Sequence, residues 1–124
     1  MDVEGVKEII QAYFDSSYMA DGEGMAGVFH DGSHLYFHGE DGALADWDKK
    51  FFVELVGSNE PGTSESGFPR YDEILSIDFT GEDTAVARVK IRVADTLYTD
   101  ILCFMRLNGK WGVISKVFTG VAAD

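Results

Sequence analysis

Apolar residues recur at helical spacing at the start of the chain, where Val3, Val6, Ile9, Ile10, Tyr13 and Phe14 fall on one face. This predicts a helix to about Tyr18. Asp21 and Gly22 break the pattern, and Asp21 can cap a short second helix ending near Phe29. DGSH (31–34) reads as a turn, HLYFHG (34–39) as a short strand and EDG (40–42) as a second turn. Leu44, Trp47, Phe51 and Leu55 then mark a third helix with one apolar face. Beyond residue 72 the period changes from helical to two. EILSIDF (73–79), AVARVKIRV (85–93), LYTDILCFMRL (97–107) and KWGVISKVF (110–118) read as strands. GED (81–83), Asp95-Thr96 and Asn108-Gly109 turn the chain between them, and Asn-Gly is a strong hairpin signal. GSNEPGTSESGFP (57–69) follows neither period and is expected to be a mobile loop or a lid.

Helices first and consecutive antiparallel strands last predict an α+β fold. Its expected form is a cone-shaped roll, with three N-terminal helices packed on a strongly curved, mostly antiparallel sheet that encloses a pocket. At 124 residues the chain suits a single domain. Strict alternation through the two last hairpins divides the strands into two faces. One carries Ala87, Val89, Ile91, Tyr98, Asp100, Leu102, Phe104, Trp111, Val113 and Val117. The other carries Arg88, Lys90, Arg92, Thr99, Ile101, Cys103, Met105, Ile114, Lys116 and Phe118. Both are too apolar to be wholly solvated, so one is expected to cover the helices and the pocket, and the other a second copy in a homodimer. Alternation alone does not say which is which.

Charge narrows the partners. The net charge of −12 is concentrated in residues 1–65, with 14 acids and 3 bases, against 8 acids and 7 bases in residues 66–124. Such a surface repels polyanions, so neither nucleic acid nor an anionic membrane is an expected partner. No stretch has the length and hydropathy of a membrane span, and the acidic start MDVEGVKEII does not read as a signal peptide. The single cysteine, Cys103, precludes an internal disulfide and fits a cytoplasmic setting.

Several side chains could carry chemistry. Arg88, Lys90 and Arg92 form a cationic stripe that, facing inward, suits a carboxylate or an enolate-like heterocycle; facing outward, it is a solvated row. His30, His34 and His38 are spaced by four, but Gly32 and Ser33 break any helix that would align them, so no metal site is expected. His38 and Asp100 are candidates for proton transfer. Tyr13 can offer its hydroxyl to a cavity, and Trp47, Phe51 and Phe52 can form its wall. Cys103 has no histidine placed beside it by sequence and reads as a packed strand residue rather than a nucleophile. Nothing implies a cofactor.

FH (29–30), YTD (98–100), NGKW (108–111) and ISKVF (114–118), in this order of elements, resemble the nuclear-transport-factor-2-like superfamily. Within it they resemble the family of small bacterial proteins named "putative lumazine-binding", which is polyketide-cyclase-like. The resemblance covers nearly the whole chain and implies the cone fold. It implies less about activity, because one such fold hosts many functions. Compared with the superfamily's ketosteroid isomerases, Tyr13 falls where an oxyanion-hole tyrosine stands, but Cys103 and Phe37 fall where carboxyl groups are needed. That mechanism is therefore not expected. The same comparison implies that Cys103, Lys116 and Phe118 face the cavity, and by alternation Arg88, Lys90 and Arg92 with them, leaving Tyr98, Asp100 and Trp111 on the dimer side. The resulting expectation is a small-molecule-binding protein whose site comprises Tyr13, His38, Trp47, Arg88, Lys90, Arg92, Cys103, Lys116 and Phe118. Its ligand would be partly anionic or heterocyclic. An isomerase, cyclase or dehydratase using His38 or Asp100 is the alternative, and a non-catalytic interaction module a second.

Overall fold

Asp2 starts the first helix, its side chain accepting a 2.9 Å hydrogen bond from the Gly5 amide. The computed structural model describes residues 1–59 and 62–123 of the chain. Helix α1 (Val3–Tyr18) buries the stripe Val6, Ile10, Tyr13 and Phe14. Asp21 caps α2 (Gly22–Ala26) through the Gly24 amide. Strands β1 (Phe29–His38) and β2 (Leu44–Asp48) form a hairpin, and α3 (Lys49–Gly57) follows at once. Then come β3 (Asp72–Phe79), β4 (Thr84–Val93), β5 (Thr96–Leu107) and β6 (Lys110–Ala122). The six strands make one curved, unclosed sheet in the order β2-β1-β6-β5-β4-β3, antiparallel throughout except for the parallel β1–β6 pair. The predicted α+β roll of three helices on a mostly antiparallel sheet is therefore the fold observed. Among the described residues no helix is long and apolar enough to cross a membrane.

Some boundaries differ from the sequence pattern, each for a local reason. Leu44–Asp48 is a strand, not the start of the third helix: Ala45 and Trp47 are half-buried while Leu44, Asp46 and Asp48 face solvent. Asp48 ends that strand with extended backbone and caps α3, accepting from the Phe51 amide at 2.8 Å. The expected turn at 31–34 lies inside β1, where the chain bulges between Phe29 and His34 and Gly32 adopts a φ of +84°. The β4–β5 turn sits on Ala94-Asp95, one residue earlier than expected. Asn108 and Gly109 both have positive φ, as the tight hairpin turn requires. The expected loop at 57–69 includes Glu60 and Pro61, which lie outside the described residues. Its remainder is tied down: Thr63 is buried and accepts from the Ala94 amide, and the Ser64 amide donates to the Tyr18 carbonyl.

All three helices pack on one face of the sheet. Val6, Ile10, Tyr13 and Phe14 meet Ala87, Val89, Ile91, Leu102, Phe104, Trp111 and Val113 in a single core. The burial of β4 alternates accordingly, with Ala85, Ala87, Val89 and Ile91 inside and Val86, Arg88, Lys90 and Arg92 outside. On β6 the alternation slips. Phe104 pairs with Val113, but Cys103 pairs with Ser115, so Ile114 is an unpaired extra residue. The bulge puts Val113 and Lys116 on the same face, which an unbroken strand would not do.

Candidate functional site

The bulge at Ile114 decides what the inner face offers. Lys116, opposite Leu102, is turned toward the helices, and Phe118 follows opposite Asp100. Between them and α1, α3 and β2 lies a cavity of about 370 Å³. Trp47, Phe52, Tyr98 and Phe118 supply aromatic wall; Ile91, Leu55 and Val56 supply aliphatic wall. Trp47 and Phe118 lie 6.1 Å apart between ring centroids, and Phe37 packs behind both.

One end of this cavity is polar. The Tyr13 hydroxyl donates to Asp100 Oδ2 at 2.5 Å and accepts from Lys116 Nζ at 2.6 Å, while Nζ lies 3.9 Å from the same carboxylate oxygen. Asp100 is fully buried and Lys116 is 5 % exposed. Among the described residues Asp100 Oδ1 has no hydrogen-bond partner, and the Tyr13 hydroxyl is the one hydrogen-bond partner of Lys116 Nζ. The ammonium position is also ringed by the faces of Tyr13, Phe52 and Phe118, at 4.6–4.9 Å from their centroids. Burial holds the Lys116 amine below the usual lysine value, against the pull of Asp100. Burial, followed by the Asp100 charge, pushes the Tyr13 hydroxyl well above the usual tyrosine value, so it stays protonated and donates.

Tyr13, Trp47, Lys116 and Phe118, all expected at the site, are brought together here. Arg88, Lys90, Arg92 and Cys103 are not: they project from the outer face, because β4 and β5 keep regular alternation while β6 does not. Placing them in the cavity with Lys116 is corrected on that ground. Tyr98, Asp100 and Trp111 are corrected in the opposite sense, since they face the helices and not a dimer partner. Trp111 donates its indole N–H to Asp2 at 2.9 Å. Arg92 donates to the Ala94 carbonyl at 2.9 Å, and its guanidinium lies over Phe68.

Placing His38 in the cavity is corrected too: it alternates with Phe37 and is exposed on the outer face, at a shallow groove of about 530 Å³ that also touches Arg88, Ile101 and Val117. His34 shares its face and pairs with Asp46 at 2.6 Å, and His30 contacts the Met105 carbonyl. Ser17 and Asn59 also line the inner cavity and carry no sequence signal. Phe52 was readable from its helical spacing.

Residues 1–119 match the family described as "Putative lumazine-binding". The chain belongs to that family. None of the curated proteins matches it. Among solved structures, an NTF2-like protein of unknown function from Shewanella baltica superposes with a TM-score of 0.86 at 19% identity, over 98% of this chain and 95% of its own. One from Methylobacillus flagellatus, also of unknown function, gives 0.81 at 27% identity, over 98% and 93%. A ketosteroid isomerase-like protein from Erwinia carotovora gives 0.75 at 18% identity, over 98% and 97%. These likenesses establish the NTF2-like fold that the lumazine-binding family member shares.

Proposed function

We propose that this protein binds a small, flat, mostly apolar molecule that presents one acceptor or anionic group, such as a carboxylate or enolate, to Lys116. One observation carries the reading. At the inner end of an aromatic-walled cavity stands a buried lysine whose remaining N–H bonds have no protein acceptor among the described residues. A pocket of this polarity orients a ligand by its few polar contacts and holds it by its apolar walls. The family's name suggests lumazine as a first probe, with 2-naphthoate as a flat carboxylate. Titration of either against tryptophan fluorescence, which Trp47 in the wall can report, is expected to saturate. Lys116→Met is expected to weaken 2-naphthoate by at least about tenfold, the loss of one charge-assisted hydrogen bond. No saturable response to any flat acid, with the cavity otherwise intact, removes this reading. The setting is proposed as cytoplasmic, in keeping with a single free thiol.

A second copy on the outer face is proposed as well. Ile101, Met105 and Val117 remain 37–47 % exposed along the β5–β6 seam, an apolar strip in a very acidic protein. Arg88 and Lys90 flank the strip on the β4 side, and His34 and Asp46 on the side of β1 and β2. A two-fold axis over the seam sets the cations of one copy against the Asp46 region of the other. Sedimentation of the purified protein is expected to show a dimer that Ile101→Glu dissociates. A monomer at all concentrations ends this part of the proposal.

A further inference from the structure

We propose that Lys116 is a covalent site, at which its amine condenses with the carbonyl carbon of an aldehyde or ketone held in the inner cavity to form a Schiff base. The proposal rests on the reading of that cavity as a small-molecule site and names a substrate class for it. A lysine does this chemistry when its amine is available as the free base, when the carbonyl compound is held against it, and when protons can be moved nearby.

The surroundings of Nζ favour each of the three. The side chain is 7 % exposed and ends among three aromatic rings rather than in water. Among the described residues the charged group nearest it is Asp100 at 3.9 Å, and the other titratable group in contact is Tyr13; burial outweighs Asp100 and shifts the balance toward the neutral amine. About 370 Å³ of mostly apolar space opens beside the nitrogen, bounded by Trp47, Phe52 and Phe118. The Tyr13 hydroxyl, bonded at once to Nζ and to Asp100, can pass protons between nitrogen and oxygen.

The step balances with no further reagent. The amine nitrogen bonds to the carbonyl carbon, and one N–H proton passes to the oxygen, giving a carbinolamine. The C–O bond then breaks. The oxygen leaves as water with both protons that began on the amine, and the carbon–nitrogen double bond remains. If the product takes up a proton, the Asp100 carboxylate is in place to offset the iminium charge. The other lysines lack this setting. Lys7, Lys50 and Lys110 are exposed, Lys90 lies on the outer face, and Lys49 pairs with Asp31 at 3.0 Å.

The test uses 2-naphthaldehyde with cyanoborohydride at neutral pH, followed by intact mass and peptide mapping, alongside tryptophan-fluorescence titration with the carbinol 2-naphthylmethanol. Each unit by which the amine's pKa falls gives about ten times more free base at neutral pH. The expected result is one reduced adduct on Lys116, formed at least about tenfold faster than on any surface lysine and suppressed by excess 2-naphthylmethanol. Mapping the unmodified wild-type sequence makes the result independent of whether Lys116→Met folds. Adducts only on surface amines, with saturable binding of the carbinol, overturn the covalent proposal and leave the binding reading standing. No adduct at Lys116 and no carbinol binding overturns both.

Discussion

Tyr13→Phe is the sharpest single test of the buried trio. The substitution removes one oxygen and keeps the ring, so packing against Phe14 and Phe29 survives and no cavity cost is added. It removes the hydrogen bond to Asp100 at 2.5 Å and the one from Lys116 at 2.6 Å. Among the described residues Asp100 Oδ1 already lacks a partner, so the carboxylate is left buried with Lys116 at 3.9 Å as its remaining neighbour of opposite charge. A hydrogen bond to a charged group contributes roughly 1.5–3 kcal/mol, and a buried charge stripped of its partner costs about 3–5 kcal/mol. The two figures describe the same loss from different sides, so the expected destabilisation is about 3 kcal/mol, not their sum. Against the roughly 5–15 kcal/mol by which domains are stable, a urea melt resolves it as a lower midpoint with an unchanged slope. The cycle with Asp100→Asn isolates the interaction. With Phe at position 13 the Asn substitution should cost less than in the wild type, by about 1.5–3 kcal/mol. A Tyr13→Phe protein within about 0.5 kcal/mol of wild type, with no coupling to Asp100, would refute the reasoning.

Alkaline stability should carry two opposed signatures. The Lys116 amine is held below its ordinary 10.5, so the unfolded chain keeps a proton that the folded one has released; its penalty is full below the lowered value and fades as pH rises toward 10.5. Tyr13 is raised above its ordinary 10.0, so its contribution is full below pH 10.0 and is lost as pH rises beyond it. Urea midpoints across this range should therefore rise less steeply for Lys116→Met than for wild type below pH 10.5, and Tyr13→Phe should show a smaller fall above pH 10.0, the remainder coming from Tyr71, which Glu73 also holds above its ordinary value; parallel curves for all three would contradict both assignments. Deleting Ile114, the unpaired residue of β6, should leave the Phe104–Val113 and Leu102–Lys116 pairings in place and preserve 2-naphthoate binding. Deleting Cys103, which has a partner, should turn Asp100 and Leu102 outward and abolish folding by circular dichroism.

Much of the fold was legible because local and global signals agree. Val6, Ile10 and Phe14 mark the buried side of α1, Asn108-Gly109 marks the β5–β6 hairpin, and the alternation Ala87, Val89, Ile91 marks the inner side of β4. The resemblance placed Lys116 and Phe118 in the cavity, where they are. It placed Cys103 there too, where it is not, and carrying the placement of Lys116 on to Arg88, Lys90 and Arg92 required alternation to hold along all of β6, which it does not. Trp47 misled in another way: its spacing from Leu44 and Phe51 fits a helix, but its neighbours alternate in burial as a strand.

A signal for the bulge was nevertheless present in the chemistry of the strands. Val113-Ile114 is an apolar pair and Ser115-Lys116 a polar pair, so strict alternation already fails in the sequence at this point. The stronger constraint comes from Asp100. It stands on the same face as Leu102 and Phe104, opposite Ala87 and Val89 in the neighbouring strand, a face too apolar for a solitary acid. A carboxylate buried there needs a donor or a cation, and regular alternation would send every base of β4 and β6 to the other side. Two residues can meet the need: Tyr13 from the buried stripe of α1, and Lys116 if β6 slips by one. The electrostatic cost of leaving Asp100 alone, several kcal/mol, exceeds the cost of one unpaired residue at Ile114, roughly that of a lost backbone hydrogen bond. On this account the bulge, the inward lysine and the buried acid are one feature. A substitution that removes the acid, such as Asp100→Leu, should weaken the preference for the slipped register itself.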